Sequence, residues 1–195
     1  MRNLAFIFLT ISLFSCNSQK LAKDADFDVS TLTTVELREK FLVDILNKDQ
    51  IVRENEVATN EQFGYESKKH LEARNEVVKY DRIHLPKIEA YLEEFGYPNK
   101  QEFSEDAVIT PWLIIHHAQS ETSPRRRNFK YIYSAYLKED IDGNALSFYL
   151  NRIHEREYGE RYKSATALKE SEEIELLIEL LELTEEAEKL RSSLL

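Results

Sequence analysis

Apolar residues recur along most of the chain at intervals of three and four positions, the spacing of one face of an α-helix. Thr33 and Glu36 make a capping-box pattern, and the apolar positions that follow predict a first helix to about residue 57. The chain has four glycines and four prolines, too few for a strand-rich fold with a turn every ~8–12 residues. The pattern therefore predicts an all-α fold.

The glycines, prolines and short polar residues divide the remaining chain into further helices. Pro86 suits a first helical turn, Gly96 suits a helix end, and Pro111 either kinks its helix or restarts it. The predicted helices cover residues 66–80, 86–96, 105–119, 123–137, 144–157 and 166–195. We therefore expect residues 31–195 to form a single irregular bundle of about six to seven helices that ends in a long C-terminal helix.

The last predicted helix is rich in leucine and glutamate. A heptad-like seam is formed by Leu176, Leu180, Leu183, Ala187, Leu190 and Leu194, and a second apolar face by Ile174, Leu177, Ile178 and Leu181. Fewer than three heptads are too short to indicate a coiled coil by themselves. We favour a core helix whose distal end packs on the first helix, and a homodimer through Leu176–Leu194 is the alternative.

The N-terminus has the layout of an export signal. Arg2 precedes an apolar and hydroxyl run over 4–14, which is much shorter than the ~20 residues of a membrane-spanning helix. Cys16, the one cysteine of the chain, follows Ser15 directly. The arrangement resembles the lipobox of bacterial lipoproteins, which implies cleavage before an acylated Cys16. An ordinary cleaved signal and an uncleaved N-terminal anchor are the alternatives.

This layout predicts a signal peptide over 1–15, a lipidated cysteine with a polar tether over 16–30, and a helical domain over 31–195. Two or more acyl chains give a stable membrane anchor, because each buried methylene contributes ~0.8 kcal/mol. The protein would then be exported and held at the cell envelope, on its periplasmic or surface side.

The net charge of the predicted mature protein limits the classes of partner that it can bind. Removal of residues 1–15 leaves 25 basic and 36 acidic residues, a net charge of −11 with histidine neutral. Nucleic-acid binding requires basic surface to neutralise phosphates, so we expect no nucleic-acid partner. Acylation of Cys16 leaves no thiol for a disulfide, a thiolate metal site or a nucleophile.

Five sequence blocks resemble a bacterial family of helical domains whose function is unknown. They are LNKDQIVR (46–53), DRIHLPKIEAYLEEFGYP (81–98), WLIIHHAQ (112–119), FYLNRI (148–153) and GERYKS (159–164). In that family the blocks carry the motifs D-Q-x-x-R, D, G-W-P, H-A-D, D-R-V and Q-x-Y-G-T, in this order. The positions of this chain that match them are Asp49, Gln50, Arg53, Asp81, Gly96, Pro98, His117, Ala118, Arg152 and Tyr162. The acidic residues of H-A-D and D-R-V are replaced by Gln119 and Asn151, and the resemblance implies no reaction.

Polar residues of this pattern are the candidate site: Asp49, Gln50, Arg53, Asp81, His117, Arg152 and Tyr162. A pocket would use His117 as a general base, with Arg152 and Tyr162 as further catalytic candidates and Arg152 binding an anion. The favoured interpretation is a buried network in which these groups satisfy one another. The leading hypothesis is thus a non-enzymatic binding or structural module that contacts an envelope protein or small ligand. The alternative is a hydrolase-like or anion-binding pocket protein centred on His117 and Arg152.

Metal and cofactor motifs are missing from the sequence. His116 and His117 are adjacent, so on a helix their side chains point about 100° apart. The sequence contains no H-x-x-x-H pair and no glycine-rich phosphate loop. We therefore expect no metal site and no cofactor. The basic run over 125–127 is expected to pair with acidic residues, including the glutamates of the C-terminal helix, and a contact with lipid headgroups or a phosphorylated ligand is the alternative.

Overall fold

A computed structural model describes residues 27–118, 123–163 and 169–193. A 3-10 turn (Val29–Thr31) precedes seven α-helices in these residues: α1 (Val35–Phe63), α2 (Lys68–Phe95), α3 (Glu105–His117), α4 (Ser123–Leu137), α5 (Gly143–Tyr158), α6 (Glu170–Leu180) and α7 (Thr184–Ser193). The described residues contain no strand, and the predicted all-α bundle is confirmed. The predicted signal peptide, Cys16 and residues 17–26 of the tether lie outside them. Among the helices described, none is both long and apolar enough to cross a bilayer.

Side-chain caps start several of the helices. Ser104 and Asp142 accept hydrogen bonds from the third residues of α3 and α5, Ala107 and Ala145. The cap of α1 is Thr34, which accepts from the Leu37 amide, so the predicted pairing of Thr33 with Glu36 is wrong by one position. The first turns of these three helices are thus fixed by local side-chain hydrogen bonds.

Helix α2 runs without interruption through Pro86, where the sequence predicts a boundary between two helices. Proline inside a helix loses a backbone hydrogen bond and costs about 3 kcal/mol. The residues after it compensate, because Ile88, Tyr91 and Leu92 are all buried in the bundle core. Packing of the continuous helix therefore outweighs the local cost of the proline.

The predicted long C-terminal helix is broken into α6 and α7. Glu182 adopts a left-handed conformation with a φ of 56°. The Leu183 amide donates to the Ile178 carbonyl at 2.9 Å, and the Glu182 amide donates to the Glu179 carbonyl at 2.9 Å. These two bonds form a Schellman motif, which ends a helix.

The break lets the two halves cover different parts of the bundle. Helix α6 packs on α5, and α7 packs on α4 rather than on α1. The predicted leucine seam is therefore not one continuous surface: Leu183 is buried, Leu180 is 39% exposed, and Leu194 lies outside the described residues. The favoured core role fits both helices, and the homodimer stays a prediction.

Helices α1 and α2 extend as a pair beyond the end of α3. Thr110 of α3 donates to the Leu42 carbonyl of α1 at 3.3 Å, and His117 of α3 contacts Asp49 of α1, so α3 accompanies only the first half of α1. Beyond Val52, none of the remaining α1 residues is buried. We call residues 54–80 the helical arm.

Candidate functional site

A network of charged side chains joins three helices at the base of the helical arm. Asp49 of α1 is fully buried and accepts from His117 Nδ1 at 3.0 Å, from Arg53 Nε at 3.1 Å and from Gln50 Nε2 at 3.1 Å. Arg53 also donates through Nη2 to Asp81 of α2. The network therefore ties α1 to both α2 and α3.

The order of residues explains how these groups meet. Asp49 and Arg53 are four positions apart, so they lie on the same face of α1, one turn apart. Asp81 lies where α2 returns past this turn, and His117 is the last residue of α3. Five predicted site residues, with Gln50 included, are thereby brought together by the packing of three helices.

Burial raises the pKa of the Asp49 and Asp81 carboxyl groups, and the charge of Arg53 lowers it. Burial raises the pKa of Asp49, but hydrogen bonds from His117 and Arg53 outweigh it, and the net pKa is lowered. For Asp81, burial is the largest effect and leaves the pKa raised, despite the opposing charge of Arg53. Arg53 hydrogen-bonds to both carboxylates, and its charge offsets the desolvation of Asp81 only in part. Asp49 is thus the ionised centre of the network.

Arg152 and Tyr162 lie outside this network. Arg152 Nη1 donates to Glu155 Oε2 at 2.6 Å, and Glu155 also accepts from Arg161 at 3.3 Å. The Tyr162 ring makes an edge contact with His154, with 5.8 Å between ring centroids. No hydrogen bond among the described residues joins Arg152 or Tyr162 to His117, although Arg152 lies close enough to His116 to contribute to the lowering of its pKa. A cleft shared by His117, Arg152 and Tyr162 therefore stays a prediction.

Two histidines next to the network were not among the predicted site residues. His84 is 5% exposed, and burial lowers its pKa to about 4. His116 stacks on Trp112 with 5.0 Å between ring centroids. Burial is the main cause that lowers the His116 pKa to about 3, and the neighbouring His117 and arginine side chains add to it. Their spacing in the sequence was a weak indication of these surroundings, since His84 follows Asp81 by three positions and His116 follows Trp112 by four, which places each pair on one face of a helix.

The three arginines of the basic run have separate surroundings. Arg126 pairs with Glu157 of α5 at 2.5 Å, and Arg127 pairs with Glu89 of α2 at 2.6 Å. Arg125 is 1% exposed and donates to the His116 carbonyl at the end of α3. In the ion pairs given above, the carboxylates belong to α2 and α5. Arg126 reaches the C-terminal helices through the Leu181 carbonyl, to which its Nη1 donates at 2.9 Å, rather than through a glutamate salt bridge among the described residues. The run therefore holds helices together.

Within the described ranges, no group of three or more His, Cys, Asp or Glu side chains is arranged to hold a metal ion. Asp49 and His117 are hydrogen-bonded to each other. The position beside the Asp49 and Asp81 carboxylates, where a cation would bind, is occupied by the Arg53 guanidinium. What the arrangement offers chemically is a histidine oriented by a buried carboxylate, joined to a salt bridge between helices.

Comparisons of the chain with protein-family models, with curated proteins and with solved structures gave no match. The resemblance to the bacterial helical family stays a prediction, and the site has to be interpreted from its own geometry.

Proposed function

We propose that this chain is a lipid-anchored protein of the bacterial cell envelope whose helical domain acts as a non-enzymatic binding module. Cys16 would carry the lipid, and the domain would contact an envelope protein or a small ligand. The acidic body would stand away from anionic lipid headgroups, leaving the acyl chains to hold the protein at the membrane.

One observation supports this proposal above others: the candidate catalytic histidine is hydrogen-bonded to a buried carboxylate of the protein itself. His117 is bound to buried Asp49, and Asp49 is shared with Arg53. A network that joins three helices in this way would stiffen their junction and fix the direction in which the helical arm leaves the bundle. A rigid projecting element suits a protein that presents a surface to a partner.

A hydrolase-like or anion-binding pocket centred on His117 and Arg152 is the second candidate. It is favoured by the bond between His117 Nδ1 and Asp49, because a carboxylate on one imidazole nitrogen orients the other for proton transfer. It is weakened by Arg152, which is engaged with Glu155. The two candidates differ in whether His117 serves stability or chemistry.

The experiment is capture of the full-length chain from its own membranes. A photo-reactive residue on the exposed face of the helical arm, at Asn55, would be crosslinked in cells before detergent extraction. The binding proposal expects one defined envelope species crosslinked to the chain, and the same species with the His117→Gln variant. Recovery of the chain alone, together with turnover that His117→Gln abolishes, would favour the enzyme.

A further inference from the structure

A broad groove lies away from the polar network, at the end of the bundle where α3 begins. It is a groove of 1180 Å³ between the first turns of α3, the end of α4 and the segment that joins α4 to α5. Six large apolar side chains line it: Phe103, Val108, Ile109, Tyr136, Leu137 and Ile141. The volume is enough for one or two large apolar side chains of a ligand.

Carboxylates surround this apolar floor. The groove is lined by Glu105, Glu139, Asp140 and Asp142, against one basic residue, Lys100. Lys100 is already engaged within the rim, because its Nζ donates to the Glu139 carbonyl at 2.7 Å and its amide donates to Asp140 at 2.9 Å. The rim therefore carries an excess of three negative charges.

Two of the rim carboxylates are available to a partner. Glu105 and Glu139 are exposed, and neither side chain accepts a hydrogen bond from the described part of the chain. Glu105 lies in the first turn of α3, whose start is fixed by the Ser104 cap. Glu139 lies two residues after the end of α4 and has a left-handed conformation, with a φ of 62°. Both carboxylates thus project from backbone that is held in place before any partner binds.

We propose that this groove binds an amphipathic segment of a partner protein, in which a large apolar side chain is flanked by lysine or arginine. The apolar floor would receive the anchor, and Glu105 and Glu139 would pair with the flanking cations. The sign of the rim disfavours nucleic acid and anionic lipid headgroups. The inference rests on the proposed binding function and names the surface and the chemistry of its partner.

The test uses the full-length chain in nanodiscs of zwitterionic lipid, with empty nanodiscs as the blank. The probe is a short fluorescent helical peptide of leucine and lysine, and its binding is followed by fluorescence anisotropy. The comparison peptides replace lysine with glutamine or with glutamate. We expect saturable binding of the lysine peptide that weakens with salt, and at least about tenfold weaker binding of the other two.

The matched variants reverse two charges each. Glu105→Lys with Glu139→Lys should weaken binding of the lysine peptide at least about tenfold. Glu179→Lys with Glu188→Lys changes the net charge equally at exposed positions of α6 and α7, outside both the groove and the helical arm, and should leave the affinity within about twofold. The pair Glu105→Gln with Glu139→Gln should give an intermediate loss, and it provides a milder variant if the double lysine variant is unstable.

Three results would overturn the inference: no binding of the lysine peptide, equal weakening by the two charge-reversed proteins, or equal binding of the lysine and glutamine peptides. The last would indicate an apolar site without charge selection. If the groove fails in this way while the crosslinking at Asn55 still captures an envelope partner, the proposed function stands and the partner binds elsewhere. If the lysine peptide does not bind and the crosslinking captures no envelope protein, both the groove inference and the proposed binding function are wrong.

Discussion

His117, at the end of α3, and Asp49, in the middle of α1, are 68 positions apart in the sequence and 3.0 Å apart in the structure, Nδ1 to Oδ2. The Asp49 carboxylate is fully buried, whereas the His117 side chain is 20% exposed. Removal of the histidine would thus leave a buried carboxylate with one donor fewer. This asymmetry decides what a substitution at His117 should do.

The His117→Ala variant should lower the free energy of unfolding by ~1–3 kcal/mol, because a buried acceptor loses its partner. His117→Gln should cost less, since its amide can also donate. Urea unfolding of both variants against the parent protein measures the difference. As a control, the effect of His117→Ala should shrink when Asp49 is already Asn. Unchanged midpoints in both single variants would favour the enzyme hypothesis, because functional residues are seldom optimised for folding.

Acidification should destabilise the protein through His84. The pKa of this histidine is lowered by burial to about 4, whereas an unfolded histidine has a pKa near 6.5. Between these values the unfolded chain binds the proton and the folded chain does not, so stability is full above pH 6.5 and falls as the pH drops. From pH 7 to pH 5 the loss from His84 should be about 2 kcal/mol.

Urea unfolding of the parent protein and of His84→Gln at both pH values tests this expectation. The variant should lose about 2 kcal/mol less than the parent between pH 7 and pH 5. Between pH 8 and pH 7, the difference between the two proteins should stay nearly constant. Equal acid losses in both proteins would show that His84 does not account for the pH dependence.

The sequence predicts the helices well where local signals agree. Apolar periodicity predicted the all-α fold, and Gly96, Ser104 and Asp142 mark helix ends where the structure has them. These signals act within a few residues, so they can be recognised without knowing the tertiary structure. Pro86 misled the prediction because the buried residues after it lie in contacts with other helices, which no local rule contains.

The candidate site was predicted only in part, for a related reason. The spacing of Asp49 and Arg53 shows that they share a helix face, but the alignment of α3 beside α1 decides that His117 reaches them. Arg152 lies on α5 and faces Glu155 one turn later, a pairing equally compatible with the sequence. Which polar groups meet is therefore set by helix packing.

Glycine should be favoured at the break between α6 and α7. Glu182 is left-handed, a conformation that costs an L-residue roughly 1–2 kcal/mol and glycine nothing comparable. Glycine also increases the conformational entropy of the unfolded chain, which offsets part of this gain. The net effect of Glu182→Gly should be a stabilisation of about 0.5–1 kcal/mol. Glu179→Gly, at an exposed position inside α6, should destabilise it by about 1 kcal/mol. Thermal unfolding of both variants measures the contrast, and a loss of stability at Glu182 would contradict the Schellman assignment.

Lipidation should depend on Cys16 alone. Because this is the one cysteine of the chain, Cys16→Ser should abolish both acylation and processing at this site. Metabolic labelling with a radioactive fatty acid, followed by gel analysis, measures both effects. The serine variant should be unlabelled and should migrate as the unprocessed form. Label retained by that variant would show that the anchor is attached elsewhere.

The last prediction distinguishes a core role of the C-terminal helices from a role in dimer formation. Leu177, Ile178 and Leu181 are at most 2% exposed, and α6 packs along α5. Deletion of residues 175–195 would uncover that surface, so the shortened chain should lose cooperative unfolding as well as the helical signal of the deleted segment.

Circular dichroism and thermal unfolding of the 21–174 fragment, compared with the 21–195 fragment, measure this effect, and sedimentation gives the oligomeric state of each. A core role expects a monomeric 21–195 fragment that unfolds cooperatively and a 21–174 fragment that does not. The opposite pair of results, a dimeric longer fragment and a cooperatively folded monomer after deletion, would assign Leu176–Leu194 to association. In that case the Schellman break would position α7 for a second copy rather than for α4.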